Sequence, residues 1–145
     1  MSFGPGVPPT SAAGFPRPRP LDRCPCGSGR TYDGCCGTVL AGESATTSEQ
    51  LMRSRYTAFV TGDARHLLAT WHPGTRPESI DLDPRVRWQA LEIVATDAGG
   101  EDDLRGVVEF RAAWRDGAET GVLHERSRFV NRSGAWWYLD GVVSP

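Results

Sequence analysis

The sequence predicts an α+β fold, with one main domain preceded by a compact cysteine cluster. Three observations support this. Apolar residues recur at helical spacing between positions 46 and 71, the C-terminal half alternates apolar and polar residues, and all four cysteines lie between Cys24 and Cys36. A chain of 145 residues usually forms one domain, here with a small satellite.

The N-terminal segment 1–20 is rich in proline and glycine and has few apolar groups to offset the entropy lost on ordering. We therefore predict a disordered tail over residues 1–20. This segment lacks the apolar core of a secretory signal, and no stretch of the chain has the apolar length of a membrane span. We expect a cytoplasmic protein in a reducing compartment.

The cysteine cluster "CPCGSGRTYDGCC" runs from Cys24 to Cys36. A disulfide is disfavoured in a reducing compartment, and neighbouring Cys35 and Cys36 could bond only through a strained ring. A redox dithiol usually has C-x-x-C beside a βαβ pattern, which this chain lacks. Four thiolates from one tight loop do satisfy tetrahedral zinc, so we favour one structural zinc ion.

The first predicted helix lies within "TTSEQLMRSRYTAFVTGD". Thr46 or Thr47 is the expected N-cap, with Glu49 or Gln50 completing a capping box, and Gly62 is the expected C-cap. The residues at helical spacing are Leu51, Met52, Tyr56, Phe59 and Val60. This pattern is typical of an amphipathic helix.

A second, shorter helix is predicted in "ARHLLATW". Asp63 is placed to cap its start, and the His72-Pro73 pair ends it because the residue before proline avoids helical angles. The residues expected to face the core are Leu67, Leu68 and Trp71.

The C-terminal half has the period of β-strands. In "LRGVVEFRAAWR" one face is predicted to carry Leu104, Val108, Phe110, Ala112 and Trp114, and the other Arg105, Glu109, Arg111 and Arg115. Turn signals occur at Asp116-Gly117 and at 131–134. With "WQALEIVAT", "VLHERSRFV" and "AWWYLDGVV" as further strands, the pattern predicts a four-stranded antiparallel meander.

One of these strands places polar groups on the buried face. The alternation that points Leu123 into the core also points Glu125 and Ser127 there. A buried carboxylate is costly unless it is paired, so we expect Arg53 or Arg55 of the first helix to meet Glu125.

The basic residues exclude several functions. The chain contains no lysine, which rules out Schiff-base chemistry on a side chain. Net charge is −2, and residues 1–37 carry four arginines against two aspartates, which does not make a basic face. Nucleic acid is therefore not an expected partner.

The cysteine segment resembles the SEC-C motif, a zinc-binding element. The matching residues are Cys24, Cys26, Gly27, Ser28, Gly29, Tyr32, Cys35 and Cys36. This resemblance implies a zinc knuckle over residues 21–40 in which the four cysteines are the ligands, and it implies docking to a protein partner.

The blocks "LMRSRYTAFV", "TWHP", "ERSRF" and "WWYLDG" resemble, in order, those of the bacterial YchJ family. The middle domain of that family is similar to the nuclear transport factor 2 superfamily, in which a curved sheet wraps around helices to form a cone with a pocket. The resemblance implies such a domain over residues 46–145.

The pocket implied by this resemblance is expected to gather a set of polar side chains. These are Arg53, Arg55, Tyr56, His72, Glu125, Ser127 and Asp140. Arginine forks bind carboxylates in two-point geometry, so we expect a small acidic or peptide ligand. No nucleophile and base are visibly matched, and we assign no catalytic residue.

We therefore expect a zinc-binding protein whose knuckle contacts a protein partner and whose cone domain offers a ligand pocket. The alternative is an enzyme that acts on a small acidic substrate in the pocket, with zinc only structural.

Overall fold

The computed structural model describes residues 12–144. A 3-10 turn at Tyr32–Gly34 precedes three helices, which are α1 (Cys36–Leu40), α2 (Ser48–Thr61) and α3 (Ala64–Ala69). Four strands follow, which are β1 (Arg87–Ala98), β2 (Arg105–Asp116), β3 (Glu119–Arg132) and β4 (Ala135–Ser144). This architecture confirms the predicted α+β class.

Helix α2 begins and ends as its sequence predicts. Thr47 is the N-cap, and its hydroxyl accepts a hydrogen bond from the Gln50 amide at 3.1 Å. The Gln50 side chain in turn accepts from the Thr46 amide at 2.6 Å, so Gln50 rather than Glu49 completes the box. Gly62 ends the helix at φ 72°, a left-handed conformation that favours glycine.

Helix α3 is capped by Asp63, whose carboxylate accepts from the His66 amide at 3.0 Å. The chain that follows lies alongside β4 through two backbone hydrogen bonds of 2.8 Å, one from the His72 amide to the Tyr138 carbonyl and one from the Tyr138 amide to the Thr70 carbonyl. The "TWHP" segment therefore covers part of the β4 edge.

The four strands form one antiparallel sheet in the order β1-β2-β3-β4. Register shifts interrupt the β1–β2 ladder twice, and another lies at Arg128/Phe129 in the β3–β4 ladder. Such bulges bend a strand and increase its twist, which gives the curved sheet of a cone-shaped domain. The buried residues of β2 and β3 include Val108, Phe110, Ala112, Ser127 and Phe129. Leu104 does not join them: it precedes β2 and is 68% exposed.

The cysteine segment shares a core with the helices and the sheet. One cluster of buried apolar residues includes Cys36, Val39 and Leu40 together with Leu51 of α2 and Phe129 of β3. The knuckle is therefore packed against the main domain, and α2 lies between the knuckle and the sheet.

Part of the segment 1–20, which the sequence predicts to be disordered, has defined contacts. The Ala12 amide donates to the Thr61 carbonyl at 2.9 Å, and the Phe15 ring lies directly against Gly62. The prediction for residues 1–11 falls outside the described residues. Within 12–144, no helix is long and apolar enough to cross a membrane.

Candidate metal centre and ligand cavity

The four cysteines converge on one point. The sulfur atoms of Cys24, Cys26, Cys35 and Cys36 all lie within 4.8 Å of one another, and the Cys26 and Cys35 sulfurs are 3.6 Å apart. A Zn–S distance of about 2.3 Å in a tetrahedron requires sulfurs roughly 3.8 Å apart, so this spacing fits zinc. All four cysteines are free thiols.

Hydrogen bonds around the cluster favour a thiolate at one position. The pKa of Cys26 is lowered by interaction with the neighbouring Cys24 and Cys36 side chains and, to a smaller extent, with Ser28. The same interaction with Cys26 raises the pKa of Cys24 to about 11. Three cysteines are buried and Cys35 is half-buried, with the Ser28 hydroxyl 3.2 Å from its sulfur. The donor set is what a closed structural zinc site requires.

Arg53 of α2 connects the knuckle to the main domain. Its Nη1 donates to the Cys26 carbonyl at 2.8 Å, and its Nε donates to Glu49 at 2.9 Å. Burial disfavours the charged form of Arg53, but the contacts with Glu49 and Cys26 outweigh it and leave its pKa raised. The expectation that Arg53 lines the pocket or meets Glu125 is wrong, because its side chain extends from the opposite face of α2.

A cavity of about 200 Å³ lies between α2 and the inner face of the sheet. Six aromatic side chains line it, from α2, the α3–β1 connection and three strands: Tyr56, Phe59, Trp71, Trp88, Phe110 and Tyr138. Three polar residues of the predicted set, Arg55, Glu125 and Ser127, also reach it. The cavity is therefore largely apolar with a few polar groups, as ligand sites usually are.

Arg55 is a buried cation. Only 4% of the residue is exposed, and its Nη1 donates to the Leu67 carbonyl at 2.8 Å and to the Thr70 hydroxyl at 2.7 Å. Its guanidinium carbon lies 4.4 Å from the centre of the Tyr138 ring and 5.1 Å from that of Trp71. Burial lowers the pKa of Arg55 to about 10, against the opposing effect of Tyr138 and Glu125. It therefore stays positively charged at neutral pH.

Glu125 shares the cavity with Arg55 but uses different partners. Its Oε2 accepts from the Ser127 hydroxyl at 2.6 Å and from the Tyr138 hydroxyl at 3.2 Å. Among the described residues, no ion pair within 4.0 Å joins Glu125 to Arg55 or to any other basic side chain. The predicted buried ion pair is therefore replaced by hydroxyl donors, with Arg55 facing the same space.

Two further residues that line the cavity carry a side-chain donor without a partner among the described residues. Tyr56 is 3% exposed, burial raises its pKa to about 12, and its hydroxyl has no hydrogen-bond partner within residues 12–144. The indole nitrogen of Trp71 is buried and likewise unpartnered in the described part of the chain. The Trp71 nitrogen is enclosed by protein atoms, so of the two groups only the Tyr56 hydroxyl is a candidate ligand donor.

Two residues predicted to line the pocket, His72 and Asp140, lie outside the cavity. His72 holds the β4 edge through its amide, and its Nδ1 accepts from the Gly74 amide at 2.9 Å. Asp140 lies on the outer face of the sheet in an ion pair with Arg128, with N–O distances of 2.6 and 2.5 Å. His72 lies outside the cavity because it belongs to the "TWHP" segment that ends the helix. Asp140 lies outside it because the alternation along β4 beyond the Arg128/Phe129 bulge turns its side chain to the outer face.

Sequence reasoning missed a buried polar pair. The Ser54 hydroxyl and His66 Nε2 are 2.9 Å apart and both residues are buried. Burial, followed by the charges of Arg55 and Arg65, lowers the pKa of His66 to about 4. Asp63 contacts the His66 amide rather than its ring, so the three residues do not form a catalytic triad. A signal was present, since Ser54 and His66 each stand beside buried positions of their helices.

Comparison with known families supports this description. The model of the YchJ middle, nuclear transport factor 2-like domain matches residues 47–141, and the SEC-C motif matches residues 22–38. A UPF0225 protein from Streptomyces coelicolor is 53% identical over 123 residues, which is 84% of this chain and 96% of that protein. A UPF0225 protein from Chromobacterium violaceum is 45% identical over 126 residues, covering 83% and 93%.

Two solved structures have the same fold. The solution structure of a SEC-C motif containing protein from Rhodopseudomonas palustris has a TM-score of 0.72 and 35% identity, covering 84% of this chain and 98% of that one. The crystal structure of a SEC-C motif containing protein from Psychrobacter arcticus has a TM-score of 0.66 and 27% identity, covering 87% and 85%. A cysteine knuckle packed on a curved-sheet domain, with family models matching both parts, places this chain in the YchJ family.

Proposed function

We propose that this protein binds one zinc ion through its knuckle and a small acidic ligand in the cavity of its main domain. The observation that carries the ligand proposal is Arg55, a buried cation that faces the cavity without a carboxylate at ion-pair distance among the described residues. A buried charge is costly unless it is paired, and a ligand carboxylate would supply the missing partner.

A second donor favours the same ligand class. Tyr56 lines the cavity and its hydroxyl has no hydrogen-bond partner among residues 12–144, while the rings of Tyr56 and Trp71 form part of the apolar wall. A carboxylate can accept several such bonds, and charge-assisted hydrogen bonds are the strong ones. The ligand is therefore an apolar molecule with an acidic group.

The knuckle is proposed to have a structural metal and a protein-binding surface. Four thiolates leave no open position on zinc, which argues against hydrolysis at the metal. The knuckle also presents Leu21, which is 79% exposed, beside the exposed side chains of Arg23 and Arg30. Because Asp22 and Asp33 are also exposed, this surface has mixed charge around an apolar residue, which suits a polar partner surface with an apolar contact, and reduced thiols suit the cytoplasm.

The alternative is an enzyme that uses Glu125 as its acid or base. The short hydrogen bond from Ser127 to Glu125 favours it, since a serine beside a base is one form of activated nucleophile. Against it, Ser127 is 0% exposed and its hydroxyl proton is already donated to a carboxylate, which is a weak base. We therefore favour binding over turnover.

The first experiment is a native mass spectrum of freshly purified protein, before and after chelation. We expect the mass of one zinc ion, lost on chelation. A mass four hydrogens below that of the reduced chain would mean two disulfides and would contradict the metal proposal. A retained organic adduct would identify the ligand class directly.

The second experiment titrates phenylacetate into metal-loaded, ¹⁵N-labelled protein and follows amide shifts. Arg55→Met should weaken binding by about tenfold or more, since a charged hydrogen bond contributes roughly 1.5–3 kcal/mol. Arg55→Lys keeps the charge and covers the case in which Arg55→Met does not fold. Arg53→Met, the same change on the other face of α2, should leave binding unchanged. Absence of binding of both phenylacetate and 4-hydroxyphenylacetate to the native protein would refute the acidic-ligand proposal.

A further inference from the structure

We propose that the cavity selects acids that carry a hydrogen-bond donor at the end opposite the carboxylate, and that Glu125 determines this selection. The inference rests on the proposed function, because it takes Arg55 as the site of the ligand's acidic group. It adds a second recognition point and a defined class of ligand, an aromatic acid with a hydroxyl or amino group on the far side of its ring.

The cavity has two separate poles. The Arg55 guanidinium lies over the face of the Tyr138 ring, 4.4 Å from its centre, whereas Glu125 contacts the hydroxyl of the same ring at 3.2 Å. Among the described residues, no direct ion pair closes the gap between Arg55 and Glu125. Arg55 and Glu125 therefore mark a positive and a negative position beside one ring, near enough for the Glu125 charge to oppose the lowering of the Arg55 pKa.

The negative pole retains an unused acceptor. Both of the hydroxyl groups that contact Glu125, those of Ser127 and Tyr138, donate to its Oε2. No residue within 12–144 donates to Oε1. A ligand that fills the cavity without a donor would remove water from this oxygen and leave it unpaired, whereas a hydroxyl or ammonium group would satisfy it.

A glycine on the neighbouring strand leaves room for the Glu125 carboxylate. A Cβ atom at Gly141, on the neighbouring strand β4, would overlap the Glu125 carboxyl group. Gly141 has no positive φ, so its glycine serves this close approach and not a special backbone conformation. The position of Glu125 is therefore set by β4 as well as by its own strand.

The size and walls of the cavity limit the ligand to about one ring. Its volume of about 200 Å³ is somewhat larger than that of the roughly 150 Å³ engineered cavities that hold benzene. Phe59, Trp88 and Phe110 supply aromatic surfaces between the two poles. One aromatic ring with a short acidic arm on one side and a donor on the other matches this space.

The test is a comparison of three ligands on the native, metal-loaded protein by amide shift titration. Phenylacetate has no donor, 4-methoxyphenylacetate accepts but does not donate, and 4-hydroxyphenylacetate donates. We expect the hydroxy acid to bind about tenfold more tightly than the other two, because the site's own carboxylate oxygen is then paired. Glu125→Ala should abolish this preference, and Asp140→Ala, which removes a carboxylate from the outer face, should retain it.

The outcomes separate this inference from the proposed function. Equal affinity for all three acids, with binding lost in Arg55→Met, would overturn the role of Glu125 and leave the acidic-ligand site standing. A preference for the hydroxy acid that persists in Glu125→Ala would also overturn it. Failure of all three acids to bind the native protein would refute both. The ligand comparison does not depend on the folding of any variant.

Discussion

Arg53 and Arg55 lie two residues apart on α2 and belong to different parts of the molecule. Arg53 reaches the knuckle and donates to the Cys26 carbonyl, whereas Arg55 reaches the cavity and lies over Tyr138. Because successive residues of a helix are about 100° apart, these two side chains point in roughly opposite directions. Helix α2 is therefore a wall shared by the metal centre and the cavity.

The two faces of this wall are stabilised differently. On the knuckle face, Arg53 and Thr57 meet backbone and sulfur atoms, and the geometry depends on four cysteines held together. On the cavity face, Met52, Tyr56 and Phe59 pack beside a buried charge. One face of α2 therefore contacts a candidate metal site, and the other packs against the cavity.

Metal removal should produce the largest effect and act on the knuckle face first. Structural zinc contributes on the order of 10 kcal/mol in small metal-dependent modules, so chelation should lower the melting temperature and expose the amides of residues 21–40. Thermal unfolding and hydrogen exchange, with and without chelator, measure this. Equal exchange of these amides in both states would show that packing on α2 alone orders the knuckle.

The free energy of unfolding should depend on pH through His66, which contacts Ser54 between α2 and α3. The pKa of His66 is lowered from 6.5 to about 4 in the folded state, so the unfolded chain binds its proton first as pH falls. Stability is therefore complete above pH 6.5 and should fall by roughly 3 kcal/mol towards pH 4, at about 1.4 kcal/mol per pKa unit.

Denaturant unfolding at several pH values tests this prediction. His66→Gln keeps a polar group near Ser54 and should flatten the profile in this range. An identical slope in the native protein and His66→Gln would assign the dependence to other groups.

Removal of Arg53 should loosen the knuckle without affecting the cavity. A hydrogen bond from a charged group is worth about 1.5–3 kcal/mol, so Arg53→Met should reduce stability by about this amount and raise exchange in the knuckle. Glu49→Gln breaks only the part-exposed ion pair with Arg53 and should cost less than about 1 kcal/mol. Denaturant unfolding compares the two variants, and equal costs would show that the Cys26 contact contributes little.

A methyl group at Gly141 should produce the smallest effect, confined to the cavity side. Gly141→Ala crowds the Glu125 carboxylate, and overpacking of this kind costs about 1 kcal/mol or more. The cost should vanish in a Glu125→Ala background, which a double-mutant cycle by denaturant unfolding measures. Additive effects of the two changes would show that the strain lies elsewhere.

Much of the candidate site follows from local patterns. The cysteine spacing predicts the cluster of four thiols that could hold a metal ion, and the alternation of β3 places Glu125 and Ser127 on the inner face, as observed. The helical spacing also predicts which arginine lies on the same face of α2 as Met52, Tyr56 and Phe59. Arg55 lies three residues after Met52 and four before Phe59, so it shares their face. That signal was available and distinguishes Arg55 from Arg53.

The partners of these residues depend on elements far apart in the chain. Glu125 accepts from Tyr138 on another strand and fits against Gly141, and Asp140 faces outwards with Arg128. The bulge at Arg128/Phe129 changes which β4 residues lie opposite β3. No local sequence pattern predicts this bulge.

The sequence by itself determined the α+β class, the helix caps, the meander and the cysteine cluster, because each depends on residues close together in the chain. Only the tertiary structure decided that hydroxyl groups rather than an ion pair meet Glu125, and that His72 holds a strand edge. These outcomes depend on the register of β4 and on how the segment after α3 lies against it, which arise from packing over long separations.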